Sequence, residues 1–454
     1  MAKSKSVYIC QNCGAESPKW VGHCPVCREW NTYVEERIPT QKLSRKGHIR
    51  NNVLPPAPLS EVESSGYRRH TCGIGEFNRL LGGGLVPGSL ILLGGEPGIG
   101  KSTLALQIAM QLGKAITLYV SGEESPEQIK IRADRLNLNQ EKCLIYGENL
   151  FENIATEIHK IKPGLVVIDS IQTIRSEEIE SSPGSVSQVR ESAARFLLLA
   201  KETGIPVLLI GHITKDGTLA GPKVLEHIVD VVLQFEGNQQ HLFRMLRVLK
   251  NRFGSTSELA LFEMKESGLK EITNPSELLL SHLDDRLSGI ATAATIDGIR
   301  PFLIEVQALV SPAVYSAPQR TVTGFDPRRL AILLAVLEKR AGFMLSSKDV
   351  FLNIAGGLRV DDPAIDLAVT TAVISSMLDV PLDNDIAFSA EIGLSGEIRP
   401  VARIADRIRE ATKLGFKQIM ISGYNARKLE SDFPGIRIIP VRKLEEVLKK
   451  LFKT

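Results

Sequence analysis

Short apolar runs at 90–93, 116–120, 165–169 and 207–211 mark the middle of the chain, each bounded by polar or glycine-rich residues. They are too short for buried helices. Their apolar residues fall at successive positions rather than at every second one, the mark of strands covered on both faces. Between and around them, 103–112, 151–161 and 189–203 carry helical spacing. A further helix starts at Ser125-Pro126-Glu127-Gln128, a capping box with proline in its first turn, and ends near Leu136. Strand and helix in alternation predict a parallel sheet with helices on both faces, and a ligand site at the carboxyl ends of the strands. Beyond residue 229 the period changes to two. Residues 230–236 and 241–250 alternate about Gly237-Asn238, and 290–296 and 302–309 about Asp297-Gly298, as hairpins. The remaining pattern gives helices at 328–339, 364–378 and 404–414 and a strand at 418–422.

One loop gives this framework a chemistry. Gly95-Glu96-Pro97-Gly98-Ile99-Gly100-Lys101-Ser102-Thr103 follows the first apolar run and opens the helix behind it. That is G-x-x-x-x-G-K-S with a strand before and a helix after. Glycines let backbone N–H groups and the helix start wrap a triphosphate. Lys101 adds charge near the β- and γ-phosphates, and Ser102 offers a hydroxyl to Mg²⁺. ATP and Mg²⁺ are therefore the expected ligands. Asp169, closing the run 165–169, reads as the second carboxylate of the metal's water shell. Glu123 and Glu124 follow another strand at the same sheet edge, and one of them is a candidate to polarise the attacking water. At the end of the first hairpin, Lys250-Asn251-Arg252-Phe253-Gly254 places Lys250 and Arg252 as a phosphate-sensing pair, or as an ordinary basic loop.

The N-terminus needs a different explanation, because it shows neither period. Cys10-x-x-Cys13 and Cys24-x-x-Cys27 form two knuckles, and four thiolates complete a tetrahedral site that suits Zn²⁺. A redox role is the weaker alternative, since such pairs stand singly before a helix. Trp20 and Trp30 are expected to be the core of this small module. Residues 37–69 read as a linker with four prolines and the basic run Lys42, Arg45, Lys46 and Arg50. The expected division is thus 1–36, 37–69, 70–275 and 276–454. The 454 residues carry a net charge of only +3, so any nucleic-acid surface must be local. The start is charged but has no apolar segment behind it, and no run reaches the roughly 18 apolar residues of a membrane span. A cytoplasmic protein is expected, with no membrane partner.

These motifs, in this order, closely resemble the bacterial RadA (Sms) DNA-repair family. The likeness runs over nearly the whole chain. It rests on Lys19-Trp20-x-Gly22-x-Cys24-Pro25-x-Cys27, the nucleotide loop, and Lys250-Asn251-Arg252-Phe253-Gly254. Val120-Ser121-Gly122-Glu123 resembles the RecA strand bearing the catalytic glutamate, which favours Glu123 over Glu124. Asp169-Ser170 resembles the end of the RecA Walker B strand. The resemblance implies an α/β fold in three parts: a zinc module, a RecA-like core with a mainly parallel sheet, and a Lon-protease-like domain. It implies a DNA-stimulated ATPase acting as a ring, expected to be hexameric, on single-stranded and branched DNA with the RecA recombinase. Lys250 and Arg252 would then act on a neighbouring subunit's ATP, and Lys215 and Lys223 would touch DNA phosphates.

The last domain resembles Lon over about residues 351–439, but alanines stand where Lon carries its catalytic serine and lysine: Ala364 in Asp362-Pro363-Ala364-Ile365-Asp366, and Ala405. A methyl group neither attacks a carbonyl nor carries a proton. The fold is then expected to serve assembly or DNA contact, with Arg328, Arg329, Arg403 and Arg407 as available cations. Two other functions compete: an ATP-dependent protease, opposed by those alanines, and a KaiC-like nucleotide switch, opposed by the cysteine module and the Lys-Asn-Arg-Phe-Gly stretch.

Overall fold

The computed structural model describes residues 4–10, 14–39, 58, 68–177, 182–211, 222–236, 243–280, 287–313, 318–426, 429 and 432–452. The chain forms two compact units, Met1–Thr256 with Ala260–Glu271, and Ser257–Leu259 with Ile272–Thr454.

The first unit contains a nine-stranded sheet. Six mutually parallel strands make up one side of it out to the edge, in the spatial order Val231–Glu236, Leu90–Gly94, Val207–Ile210, Leu165–Asp169, Thr117–Ser121 and Cys143–Gly147. The alternation of each strand feeds two cores. Ile91 and Leu93 join one apolar cluster, Leu90 and Leu92 the other, so both faces are covered as the continuous apolar runs require. Phe243–Asn251 continues the sheet antiparallel to Val231–Glu236. The tip of this hairpin, Gly237-Asn238, lies outside the described residues. Helix Pro126–Leu136 begins as expected: the Ser125 hydroxyl accepts from the Gln128 N–H, and the Gln128 side chain accepts from the Ser125 N–H. Helix Val186–Thr203 starts earlier than its apolar spacing indicates, because Ser185 caps it by accepting from the Gln188 N–H.

In the second unit a seven-stranded mixed sheet carries Ile290–Asp297 and Arg300–Pro312 as its antiparallel centre. Ile386–Ser389, Gln418–Ser422 and Arg437–Val441 extend it in parallel on one side. Helices Asp366–Leu378 and Ile404–Lys413 pack on it, the first buried over most of its length. Among the described residues, no helix is long and apolar enough to cross a membrane.

Candidate active site and metal centre

All six parallel strands end at one edge, and the loop 95–100 leaves the sheet there. Gly95 and Gly100 have φ of 155° and 116°, which side chains disfavour. Space excludes them as well: a Cβ on Gly95 would lie 2.9 Å from Phe235 Cβ, and one on Gly100 would lie 2.8 Å from Met264 Cε. The result is a bare backbone cradle opening on the first turn of helix Lys101–Met110. Ile99 is buried in the core beneath it.

Lys101 is only 4% exposed. Its Nζ donates to the carbonyls of Gly95 (2.7 Å) and Glu96 (2.9 Å). Burial lowers its pKa to about 8, against the pull of the Asp169, Glu123 and Glu96 carboxylates. Asp169 is held at Oδ2 by the Tyr119 hydroxyl, 2.5 Å away. Burial raises the Asp169 pKa, the Tyr119 and Ser102 hydroxyls oppose the rise, and Glu124 and Glu123 add to it. Tyr119 is fully buried and its phenol is pushed well above the ordinary range, first by burial and then by Asp169, so it remains a donor. Glu123 accepts from the Ser170 hydroxyl at 2.5 Å, while Glu124 pairs with Arg132.

Lys101, Ser102, Thr103, Glu123 and Asp169 thus meet at one cleft of about 280 Å³, with Pro97, Gly98 and Gly100 in its rim. Glu124, Arg132 and Met264 also line it. Donor set and cradle fit a magnesium triphosphate: backbone amides and a lysine for the phosphates, a hydroxyl and carboxylates for the ion.

Lys250 and Arg252 are not among that cleft's lining residues. Lys250 Nζ donates to the carbonyls of Glu226 (2.5 Å) and Val229 (2.7 Å) at the end of helix Pro222–Ile228. Burial, then repulsion from Arg252, lowers its pKa. Arg252 reaches towards Asp230 at 3.5 Å and stays 57% exposed. Lys215 lies outside the described residues. Lys223 falls in helix Pro222–Ile228, its side chain outside them too. Sequence reasoning missed Tyr119 and Arg132. A tyrosine inside an otherwise aliphatic strand was the available signal for the first, and Arg132 gave none.

In the N-terminal module, the thiol sulfurs of Cys10, Cys24 and Cys27 lie within 4.8 Å of one another. The local fold repeats. Cys10 N–H donates to Ala15 and its carbonyl accepts from Gly14, and Cys24 has the same bonds with Glu29 and Arg28. Gly14 and Arg28, at equivalent places, both have positive φ (72° and 62°). Two such knuckles, strand-braced by Ser4–Cys10 and Tyr33–Pro39, converge three soft ligands. Cys13 lies outside the described residues. The expectation for the tryptophans fails: Trp20 and Trp30 are 53% and 70% exposed, and the buried centre is Cys10, Cys24 and Tyr33. The sulfurs and Tyr33 fill the small centre in place of the indoles.

The Lon-like region is closed where a nucleophile would stand. Ala364 is wholly buried in the turn Pro363–Ile365. Asp362 Oδ2 accepts from Arg407 Nη1 (2.6 Å), Thr295 Oγ1 (3.0 Å) and Ile296 N–H (3.0 Å). Burial presses the Asp362 pKa up, but Arg407 and the amides outweigh it and the net shift is downward. The expectation of free arginines is largely overturned. Arg407 is 4% exposed and Arg329 pairs with the buried Asp366. Arg403 donates to the carbonyls of Gly298 and Ile299. Each satisfies an internal acceptor, a use no charge count reveals. Arg328 and Arg403 are exposed, Arg329 is half-buried and Arg407 is buried.

Three family models match the chain: an AAA domain over residues 68–218, a rubredoxin metal binding domain over 8–35, and the Lon protease (S16) C-terminal proteolytic domain over 338–454. Among curated proteins, it is 48% identical over 454 residues to the DNA repair protein RadA of Bacillus subtilis (strain 168), covering 99% of each chain. The DNA repair protein RadA of Streptococcus pyogenes serotype M1 is 48% identical over 454 residues, covering 100% of each. That of Listeria monocytogenes serovar 1/2a is 46% identical over 457 residues, covering 99% of each.

Proposed function

The chain belongs to the DNA repair protein RadA family, and on that footing we propose that it is a DNA-stimulated ATPase of recombinational repair. The observation that carries the reading is the convergence of Lys101, Ser102, Glu123 and Asp169 on one cleft above a glycine cradle.

In this reading, the amides of 95–100 and the helix start bind the phosphate chain. Lys101 exchanges the Gly95 and Glu96 carbonyls for β- and γ-phosphate oxygens. Ser102 and Asp169 would hold the magnesium, with Tyr119 fixing the Asp169 carboxylate. The ion, when bound, neutralises phosphate charge. Glu123, steadied by Ser170, orients water in line with the γ-phosphate and takes its proton. Lys250 and Arg252, absent from their own subunit's cleft, serve the ATP of a neighbour. The assembly is a homo-oligomeric ring, hexameric by family likeness. It moves on single strands and extends branches alongside RecA in the cytoplasm, with Lys215 and Lys223 facing DNA. The functional division is a zinc module at 1–36 held by Cys10, Cys13, Cys24 and Cys27, a linker at 37–69, the ATPase at 70–275, and a proteolytically inactive Lon-like domain at 276–454.

Phosphate release with and without single-stranded DNA tests the whole. The rate should rise severalfold with DNA, and DNA affinity should fall steeply with salt. An unchanged rate with no DNA binding would overturn the proposal in favour of a nucleotide switch. Separately, Cys24→Ser is expected to lose the metal of the N-terminal module, read by metal analysis of the purified chain, with the ATPase core still folded. Full retention of zinc would reject the Cys₄ assignment.

A further inference from the structure

Two buried polar atoms beside the cleft have no partner: Arg132 Nη1 and Glu124 Oε2. They belong to a single ion pair, closed through Arg132 Nη2 and Glu124 Oε1, and both residues line the cleft. A purely structural pair in such a place satisfies its remaining valences, because a buried donor or acceptor left over costs a full desolvation penalty. Here both partners leave one charged atom idle. The cleft's charges give the reason. Glu123, Glu124 and Asp169 face only Lys101 and Arg132 among the lining residues. A triphosphate brings further negative charge, and Arg132 is the second cation within that wall.

Arg132 is also well placed to be precise. It sits on helix Pro126–Leu136, which starts rigidly at the Ser125–Gln128 box and buries Ile129, Ala133 and Leu136. Its side chain keeps 21% exposure, enough to turn about its terminal torsions. We propose that Arg132 is a phosphate ligand acting on its own subunit's nucleotide, held by Glu124 until a triphosphate arrives. The assignment rests on the reading of this cleft as an ATP site and extends it: the arginine senses the terminal phosphate, and Glu124 sets the strength of the latch. On binding, the guanidinium gives one bond to Glu124 and directs the other edge at the γ-phosphate oxygens, a fork for which arginine is suited.

Equilibrium binding to the full chain decides it, using fluorescent ADP and a fluorescent non-hydrolysable ATP analogue with Mg²⁺. Arg132→Gln should raise the Kd of the ATP analogue by roughly tenfold or more and that of ADP by much less. Glu124→Gln should bind the ATP analogue as tightly as the wild type or tighter, since it frees the arginine without removing it. Equal weakening for both nucleotides, or equal weakening by both variants, would reduce the pair to a structural one and overturn the assignment. Wild-type binding with an unaltered Arg132→Gln would sink the assignment alone. Failure of the wild type to bind either nucleotide would sink the ATP reading and the assignment with it. Thermal unfolding of both variants separates lost binding from lost fold.

Discussion

Lys101→Ala is expected to cut ATP turnover by roughly 10²–10³-fold or more while leaving the chain folded. The fold should survive because, among the described residues, Lys101 Nζ bonds to two carbonyls of its own loop, Gly95 and Glu96. Glu96 is exposed, so water can take the ammonium's place there. The buried charge also brings a pH dependence with a definite sign. In the free chain Lys101 is protonated only below about 8, whereas an unfolded lysine keeps its proton to about 10.5. A triphosphate favours the ammonium, so binding takes up a proton at high pH. ATP affinity should therefore be flat below pH 8 and fall by up to about tenfold per pH unit above it. Stability of the free chain runs the other way: between the two values the unfolded state holds more protons, so stability rises with pH. Calorimetric titration with ATP at pH 7 and pH 9 checks the first, and Lys101→Ala should lose that contrast. Wild-type turnover in Lys101→Ala would remove the central assignment.

The parts of this site that were legible share one property: their neighbours in sequence are their neighbours in space. Leu165–Asp169 announces itself as a buried strand because every residue before Asp169 is apolar, and the carboxylate then falls at the strand's end by count alone. The Ser125 cap is legible because donor and acceptor are three residues apart. What stayed hidden is long-range. Tyr119 meets Asp169 across 50 residues, and Ser170 meets Glu123 across 47. Arg407 reaches Asp362 across 45 residues, which turned an expected surface cation into a buried strut. Another element was passed over: Cys143–Gly147 carries the continuous apolar run Cys143-Leu144-Ile145-Tyr146, yet it pairs on one side with Thr117–Ser121 and is only half-covered.

Glu123→Gln carries the other large expected effect, and its value lies in the comparison with Glu124→Gln. Both glutamates follow strand Thr117–Ser121 and both line the cleft, so spacing alone does not choose between them. Their partners do. Glu124 is committed to the Arg132 guanidinium, which holds its carboxylate away from a water. Glu123 instead accepts from the hydroxyl of Ser170, directly after Asp169, which fixes it at the carboxylate side of the cleft. A base needs that setting: fixed in place and within reach of the attacking water. Removing it while keeping its shape should lower turnover by about 10²–10⁴-fold and leave ATP binding near wild type. Glu124→Gln should lose less than about tenfold in turnover, since it disturbs only the arginine's resting place. Single-turnover phosphate release, with binding measured in parallel, separates the two steps. If Glu124→Gln proved the more damaging of the pair, the base would have to be reassigned to the glutamate beside Arg132, and the arginine with it would become part of the hydrolytic step.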